Sequence, residues 1–322
     1  MASFFQLGTF RFDGAEVPGL VIDDVALDLR AAAERAGSDL PPFATIADLL
    51  GDWDAMFDRI LGVSEHARGV GIEAFALGRV PDLDARPPSG RGGKMLFAAA
   101  NYSDHVRNMR KNFTPAFSQQ DKLPPLRPYL FGKVNPPTGA FDDIILPPGA
   151  ERIDWEAEMM VVIGKPGYAI RCSDVHRHIA GYMTGNDVSC RDRTWRDDRP
   201  GIRSDWLAGK SYDSFAPLGP VLTPRQFVPD HRNLTIRLWV NGQIKQDGNS
   251  RDMTIGVEEQ IEFASSMMTL LPGDVIATGT PAGTGQERDE FLKEGDIVET
   301  EVEMCGRQRN RVVTRQQMVM AA

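Results

Sequence analysis

The stretch "DWEAEMMVVIG", residues 154–164, sets three alternating carboxylates directly in front of an apolar run. Met159, Met160, Val161, Val162 and Ile163 are apolar and partly β-branched, and they read as a buried strand. Alternate side chains of a strand share a face, so Asp154, Glu156 and Glu158 are expected on one side, with Trp155 and Ala157 on the other. Like charges at that spacing repel. A divalent cation between them is the simple resolution.

Working outward, "GYMTGNDVSCRD" (residues 181–192) puts Asp187 in a polar segment of small residues. Three carboxylates from two segments suit a hard cation such as Mg²⁺, Mn²⁺ or Ca²⁺. Cys and His are not clustered, which disfavours zinc. His105 in "NYSDHVRNM" follows a buried-looking strand, "KMLFAAA", and sits among Asn101, Tyr102 and Asp104 at the head of a helix. That is a suitable place for a general base. His176 and His178 lie in a charged helical stretch without further ligands and read as structural. Lys210 in "AGKSYDSFAP" belongs to a Gly-Lys-Ser triplet, but position 204 is Ser where a phosphate-binding loop needs Gly. Lys210 remains a candidate cation for a carboxylate or an enolate. In the glycine-rich "ATGTPAGTG" (277–285), backbone NH groups and Thr280 are candidate partners of an anion.

The bulk numbers exclude several classes. The 322 residues carry 36 Lys and Arg against 45 Asp and Glu, a net charge of −9, which argues against a general binder of nucleic acid or anionic membrane. The three cysteines, Cys172, Cys190 and Cys305, form no CxxC pair, so neither a disulfide framework nor a structural zinc site is expected, and a reducing cytoplasm fits. The start, "MASFFQLGTFRF", lacks the pattern of a signal peptide, and no run reaches the roughly 18 apolar residues of a membrane span.

Residues 3–30 read as short strands around the turn signal "FDGAEVPG", followed by two helical patterns. "VPDLDARPPSGRGG" (80–93) is dense in Pro, Gly and charge and reads as a linker. The expected division is therefore a small N-terminal α+β domain with its linker over 1–90 and a catalytic domain over 91–322. The second part reads as mostly β, with a tight hairpin at "LWVNGQI" and a helix at "VEEQIEFASSMMTLL".

The ordered set "NYSDH", "DWEAE", "NDVSCRD", "GKSYDSFAPLGP", "VNGQIKQDGNSRDM" and "LLPGDVIATGTPAGTG" resembles the fumarylacetoacetate hydrolase family over roughly residues 94–304. The N-terminal part resembles the small domain that precedes the catalytic one in some bacterial members. The resemblance implies an α+β, mostly β fold with a mixed β-sandwich or β-roll catalytic domain, and a homodimer. It implies a divalent cation, Mg²⁺ before Mn²⁺ or Ca²⁺, on Glu156, Glu158 and Asp187. It further implies catalytic His105 and Lys210, with Tyr102, Lys133, Arg191 and Thr280 around a small dicarbonyl or 2-oxo acid substrate. The implied reaction is hydrolysis of a C–C bond in a β-diketone or acylpyruvate through an enolate, as in aromatic catabolism. The alternative is a 2-oxo acid decarboxylase, isomerase or dehydratase on the same metal site, without water activation.

Two departures from the pattern stand out. Many members carry Glu three positions after the histidine, where this chain has Asn108. Asn cannot accept a proton at neutral pH, so His105 needs another acid, either Asp104 or one from elsewhere, or water activation is weakened. Thr194 stands where some relatives have Gln, which alters the expected substrate contacts. Residues 110–127, with Arg110, Lys111, Phe113 and Phe117, read either as a lid suited to a bulkier or more apolar substrate or as a surface loop.

Overall fold

The computed structural model describes residues 4–90, 92–111, 126–199 and 201–315. Most of the expected lid, including Phe113 and Phe117, lies outside the described residues.

The chain opens with β1 (Gln6–Phe12), β2 (Ala15–Ile22) and β3 (Val25–Asp28). The first turn, Asp13-Gly14, has φ of 48° and 80°. Two positive φ angles in a two-residue loop match the twist of the flanking strands, and Asp-Gly tolerates them. Asp28 then caps helix α1 (Leu29–Arg35), its carboxylate accepting from the backbone of Arg30 and Ala31. Helix α2 (Trp53–Val70) buries Trp53, Met56, Phe57, Ile60, Val63 and Ala67, the three-and-four spacing of one helix face. Strands β4 (Ala76–Arg79) and β5 (Asp84–Arg86) complete a five-stranded sheet in the order β4-β3-β2-β1-β5.

The stretch 80–93 therefore does more than tether. Asp84–Arg86 pairs with Thr9–Arg11 of β1, and residues 87–89 are buried. A single apolar cluster joins Phe5, Leu20, Trp53 and Phe57 to Phe97, Met160 and Met183, so packing is continuous across position 90. Pro and Gly density gave the stretch a linker's composition, but its backbone is used in a sheet.

The remainder runs through β6 (Met95–Ala98), α3 (Ser103–Lys111), β7 (Leu130–Gly132), β8 (Ile144–Leu146), β9 (Ile153–Asp154), β10 (Ala157–Ile163), β11 (Ile179–Asn186) and β12 (Ser189–Cys190). It continues with α4 (Arg191–Thr194), α5 (Trp206–Lys210), β13 (Thr223–Pro224), β14 (Thr235–Val240), β15 (Gln243–Asn249) and α6 (Val257–Met267). The last elements are β16 (Val275–Ala277), α7 (Gly285–Arg288), β17 (Ile297–Val302) and β18 (Arg307–Thr314). A six-stranded sheet has the order β13-β11-β10-β16-β6-β7, and a five-stranded sheet the order β15-β14-β17-β18-β8. The hairpin between β14 and β15 turns at Asn241-Gly242, both with positive φ. The fold is mostly β with a few helices, as the sequence implies.

Strand β10 explains its own composition. All seven of its residues are buried. Met159, Val161 and Ile163 face a cluster with Ile236, Leu238 and Val298 of the second sheet, while Met160 and Val162 join the cluster shared with the N-terminal part. A strand covered on both faces reads as continuous hydrophobicity.

Candidate active site

The period-two reading of the three carboxylates breaks at Trp155 and Glu156, which lie between β9 and β10. Asp154 belongs to β9, opposite Ser189, and meets Glu156 through Arg191, whose Nη2 contacts both carboxylates. Its carboxylate accepts from the backbone of Gly285 (2.6 Å) and Gln286 (3.0 Å) and from Arg191 Nε (2.8 Å). The antiparallel pairing of β10 with β11 supplies a different third acid. Ala157 faces Asn186, and the backbone NH of Asp187 donates to Glu156 O at 2.8 Å. Carboxylate oxygens of Glu156, Glu158 and Asp187 consequently lie within 4.8 Å of one another, all three residues buried.

Burying three acids is costly unless each is paired. Lys210 Nζ lies 2.9 Å from Glu156 Oε2 and 2.5 Å from Asp187 Oδ2. Lys133 Nζ lies 2.5 Å from Asp187 Oδ1 and donates to the carbonyls of Val188 (3.0 Å) and Phe215 (2.5 Å). Arg191 Nη2 donates to Glu156 Oε1. Burial alone would raise the Glu156 pKa, but Lys210 and Arg191 hold it well below the ordinary range. For Glu158 the help from Lys210 and the Gly279 NH is outweighed. Burial, with Asp187 and Glu156 alongside, pushes its pKa well above the ordinary range. Its Oε2 accepts from Gly279 NH at 2.8 Å, while its buried Oε1 has no hydrogen-bond partner among the described residues. An orphaned carboxylate oxygen beside two further carboxylates is an all-oxygen donor set that fits a hard divalent cation.

His105, on α3, directs Nδ1 to Glu287 Oε1 at 2.5 Å. Glu287 sits on the short helix α7, where its other oxygen accepts from Asn108 Nδ2 (2.9 Å) and Gly283 NH (3.0 Å). Burial opposes ionisation of Glu287, but hydrogen bonds from His105, Gly283 and Asn108 outweigh it and lower the pKa. Helix α7 is fixed by Asp154, and the approach is close: a Cβ on Gly285 would stand 2.8 Å from Asp154 Oδ1 and 2.1 Å from Glu290 O. The acid that position 108 lacks thus arrives from α7. Asp104 is not that acid, because its carboxylate accepts from the backbone of His105 and Ala282. In sequence Glu287 was hidden as part of "TGQE", the Thr-x-x-Glu pattern of a helix start.

A cavity of about 430 Å³ opens onto this arrangement, with His105, Glu156, Arg191, Ser204, Lys210 and Thr280 along its polar side. The fumarylacetoacetate (FAA) hydrolase C-terminal family model matches residues 94–313. The chain belongs to the fumarylacetoacetate hydrolase family. It is 41% identical to oxaloacetate tautomerase FAHD2A, mitochondrial, of Bos taurus over 229 residues, 70% of this chain and 68% of the relative. It is 34% identical to the fumarylacetoacetate hydrolase domain-containing protein 2 homolog of Dictyostelium discoideum over 306 residues, 91% of this chain and 92% of the relative. Among solved structures, maleylpyruvate hydrolase of a Sphingobium species superposes with a TM-score of 0.69 at 27% identity, covering 96% of this chain and 99% of that one.

The residues expected from the family resemblance separate into two groups. His105, Lys210, Arg191 and Thr280 line the cavity, together with Glu156. Thr280 is anchored, its hydroxyl donating to Ala157 O and accepting from Gln246 Nε2. Tyr102 and Lys133 lie behind the cavity wall. Tyr102 is fully buried in the core cluster, where burial and the nearby Glu158 raise its hydroxyl pKa. Lys133 Nζ is buried, ion-paired with Asp187 and donating to the carbonyls of Val188 and Phe215. Thr194 is also off the wall, donating to Cys190 O. His178 Nδ1 meets Lys165 O, away from the acids. Among the described residues, no helix is long and apolar enough to cross a membrane.

Proposed function

We propose that this family member catalyses keto–enol tautomerisation of a 2-oxo acid that enolises at C3, with a divalent cation held by Glu156, Glu158 and Asp187. The observation that carries the reading is the His105–Glu287 contact at a cavity that His105 lines together with Glu156 of the carboxylate cradle. With Nδ1 taken by Glu287, Nε2 is the ring nitrogen left for a molecule in the cavity. Tautomerisation needs one group that takes a proton and returns it. His105 accepts the proton of the enol oxygen and gives one to C3, and reverses both transfers in the other direction. A bound cation, Mg²⁺ in this reading, supplies Lewis-acid polarisation of the 2-oxo oxygen and stabilises enolate charge. Lys210 pairs with both Glu156 and Asp187 of the cradle and holds the Glu156 carboxyl in its charged form. The names of the 41% identical relatives support the same chemistry.

C–C bond hydrolysis, the sequence's first expectation, stands second. Glu287 favours it, because a histidine–carboxylate pair can also activate water, and one structural neighbour is a maleylpyruvate hydrolase. The test is proton NMR of the purified protein with Mg²⁺, following enol-to-keto conversion of oxaloacetate and cleavage of an acylpyruvate in parallel. Accelerated ketonisation without cleavage products supports the first reading. Cleavage without tautomerisation replaces it with the second. The homodimer and the cytoplasmic location belong to the same proposal. The dimer is tested by light scattering, and the location rests on three unpaired cysteines.

A further inference from the structure

The wall of the cavity opposite the acids is a ladder of rings. Phe97 is fully buried and stacks on Phe131 at 5.7 Å between centroids. Phe131 stacks on Trp206 at 4.8 Å and 26°, and Trp206 meets Tyr129 at 5.8 Å. The ladder starts in the core beside β6 and ends at Tyr129, which is 54% exposed. Phe131, Trp206 and Tyr129 line the cavity with Val106 and the Ala98–Ala100 run. Lys210 Nζ stands 5.3 Å from the Phe131 ring centroid, so the rings begin where the charged end stops.

A small dicarboxylate would use this space poorly. The cations that line the cavity among the described residues are Arg191 and Lys210, and both are already held by carboxylates. Among the described residues, a second substrate carboxylate laid on the ring faces would lose water and meet no cation that is not already paired. A flat apolar group gains there, because aromatic pairs prefer such offset stacks. The cavity volume lies within the roughly 300–1,000 Å³ of pockets that hold drug-sized ligands. Trp206 Nε1 is buried without a hydrogen-bond partner among the described residues.

We propose that Phe131 and Trp206 select a 2-oxo acid bearing an aryl group on C3, with the oxo-acid end at the carboxylate cradle and the ring on the aromatic wall. The inference rests on the reading of the cradle as a 2-oxo acid site, but not on which reaction follows. The test uses the full chain loaded with Mg²⁺ and two probes, phenylpyruvate and oxaloacetate, with dissociation constants by calorimetry and enol-to-keto rates by NMR. Phenylpyruvate is expected to bind about ten-fold more tightly than oxaloacetate. Trp206→Ala and Phe131→Ala should remove most of that preference, whereas Trp206→Phe, which keeps a ring, should keep most of it. Tighter phenylpyruvate binding without tautomerisation would uphold the aromatic selection and reject the tautomerase reading. Oxaloacetate turnover with equal binding of the two probes would do the reverse. A preference that survives Trp206→Ala and Phe131→Ala, in variants with wild-type circular dichroism, would also overturn the proposal.

Discussion

His105 Nδ1 and Glu287 Oε1 meet at 2.5 Å although 182 positions separate the two residues in sequence. Asn108, one turn along α3 from the histidine, holds the other oxygen of the same carboxylate. If proton transfer at the cavity uses this pair, replacing Glu287 by Gln keeps its volume but loses the charge that orients the imidazole. We expect kcat to fall by about 10- to 100-fold with little change in KM. Adding Asn108→Glu to that variant should restore part of the loss, because a carboxylate at 108 starts from the same ring neighbourhood. Steady-state kinetics decide this, and an unchanged kcat in Glu287→Gln would rule out the pair.

The same carboxylate should leave a signature in stability. The Glu287 pKa is lowered in the folded state, so its contribution is fully present above the unfolded value, near 4.3, and is lost as pH falls through the folded one. Urea melts of the wild type and Glu287→Gln should therefore differ at pH 7 and at pH 5, and the gap should close as the pH falls below the unfolded value. A gap that widens on acidification would contradict the sign.

Lys133 and Lys210 touch the same aspartate and should fail differently. Lys133→Met strands Asp187 Oδ1 and the carbonyls of Val188 and Phe215 in the interior. Breaking a buried pair from one side costs roughly 3–5 kcal/mol, so thermal denaturation should show a large loss of stability. Lys210 lines the cavity, and Lys210→Met should act chiefly on turnover. Equal melting temperatures for Lys133→Met and the wild type would refute this division.

Glu158 carries the orphaned oxygen, so the cation should depend on it most directly. Glu158→Ala should lose metal and activity together, read by elemental analysis after dialysis. Chelation of the wild type should abolish activity, and Mg²⁺ or Mn²⁺ should restore it. Full metal occupancy in Glu158→Ala would remove Glu158 from the donor set.

The acidic strand was legible because a period-two pattern next to a continuous apolar run is local information. Glu156, Glu158 and Asp187 do come together, the third through the strand pairing that follows. Asp154 looked identical to its neighbours and behaves differently, since the strand breaks at Trp155 and no residue type announces that break. The depth of Lys133 and Tyr102 behind the cavity wall was not legible, because burial is set by packing against distant segments. Glu287 was invisible as a partner of His105, for its local pattern is fully explained by a helix start. The aromatic wall draws on rings from around residues 97, 130 and 206, and no spacing rule connects them.

Strand β16 is the last segment of the six-stranded sheet to be synthesised, yet it lies near its middle, pairing in parallel with β6 and antiparallel with β10. On the ribosome the sheet cannot grow by adding neighbours in order. After Ile163 has emerged, β6 and β10 each keep an open, apolar edge until residues 275–277 follow. At roughly 5–20 residues per second that wait is on the order of ten seconds. Open apolar edges recruit other chains. Nascent chains stalled before residue 275 are therefore expected to aggregate or to bind chaperones, and those stalled well beyond β16 to do so much less, a difference that ribosome-arrested chains of graded length would reveal.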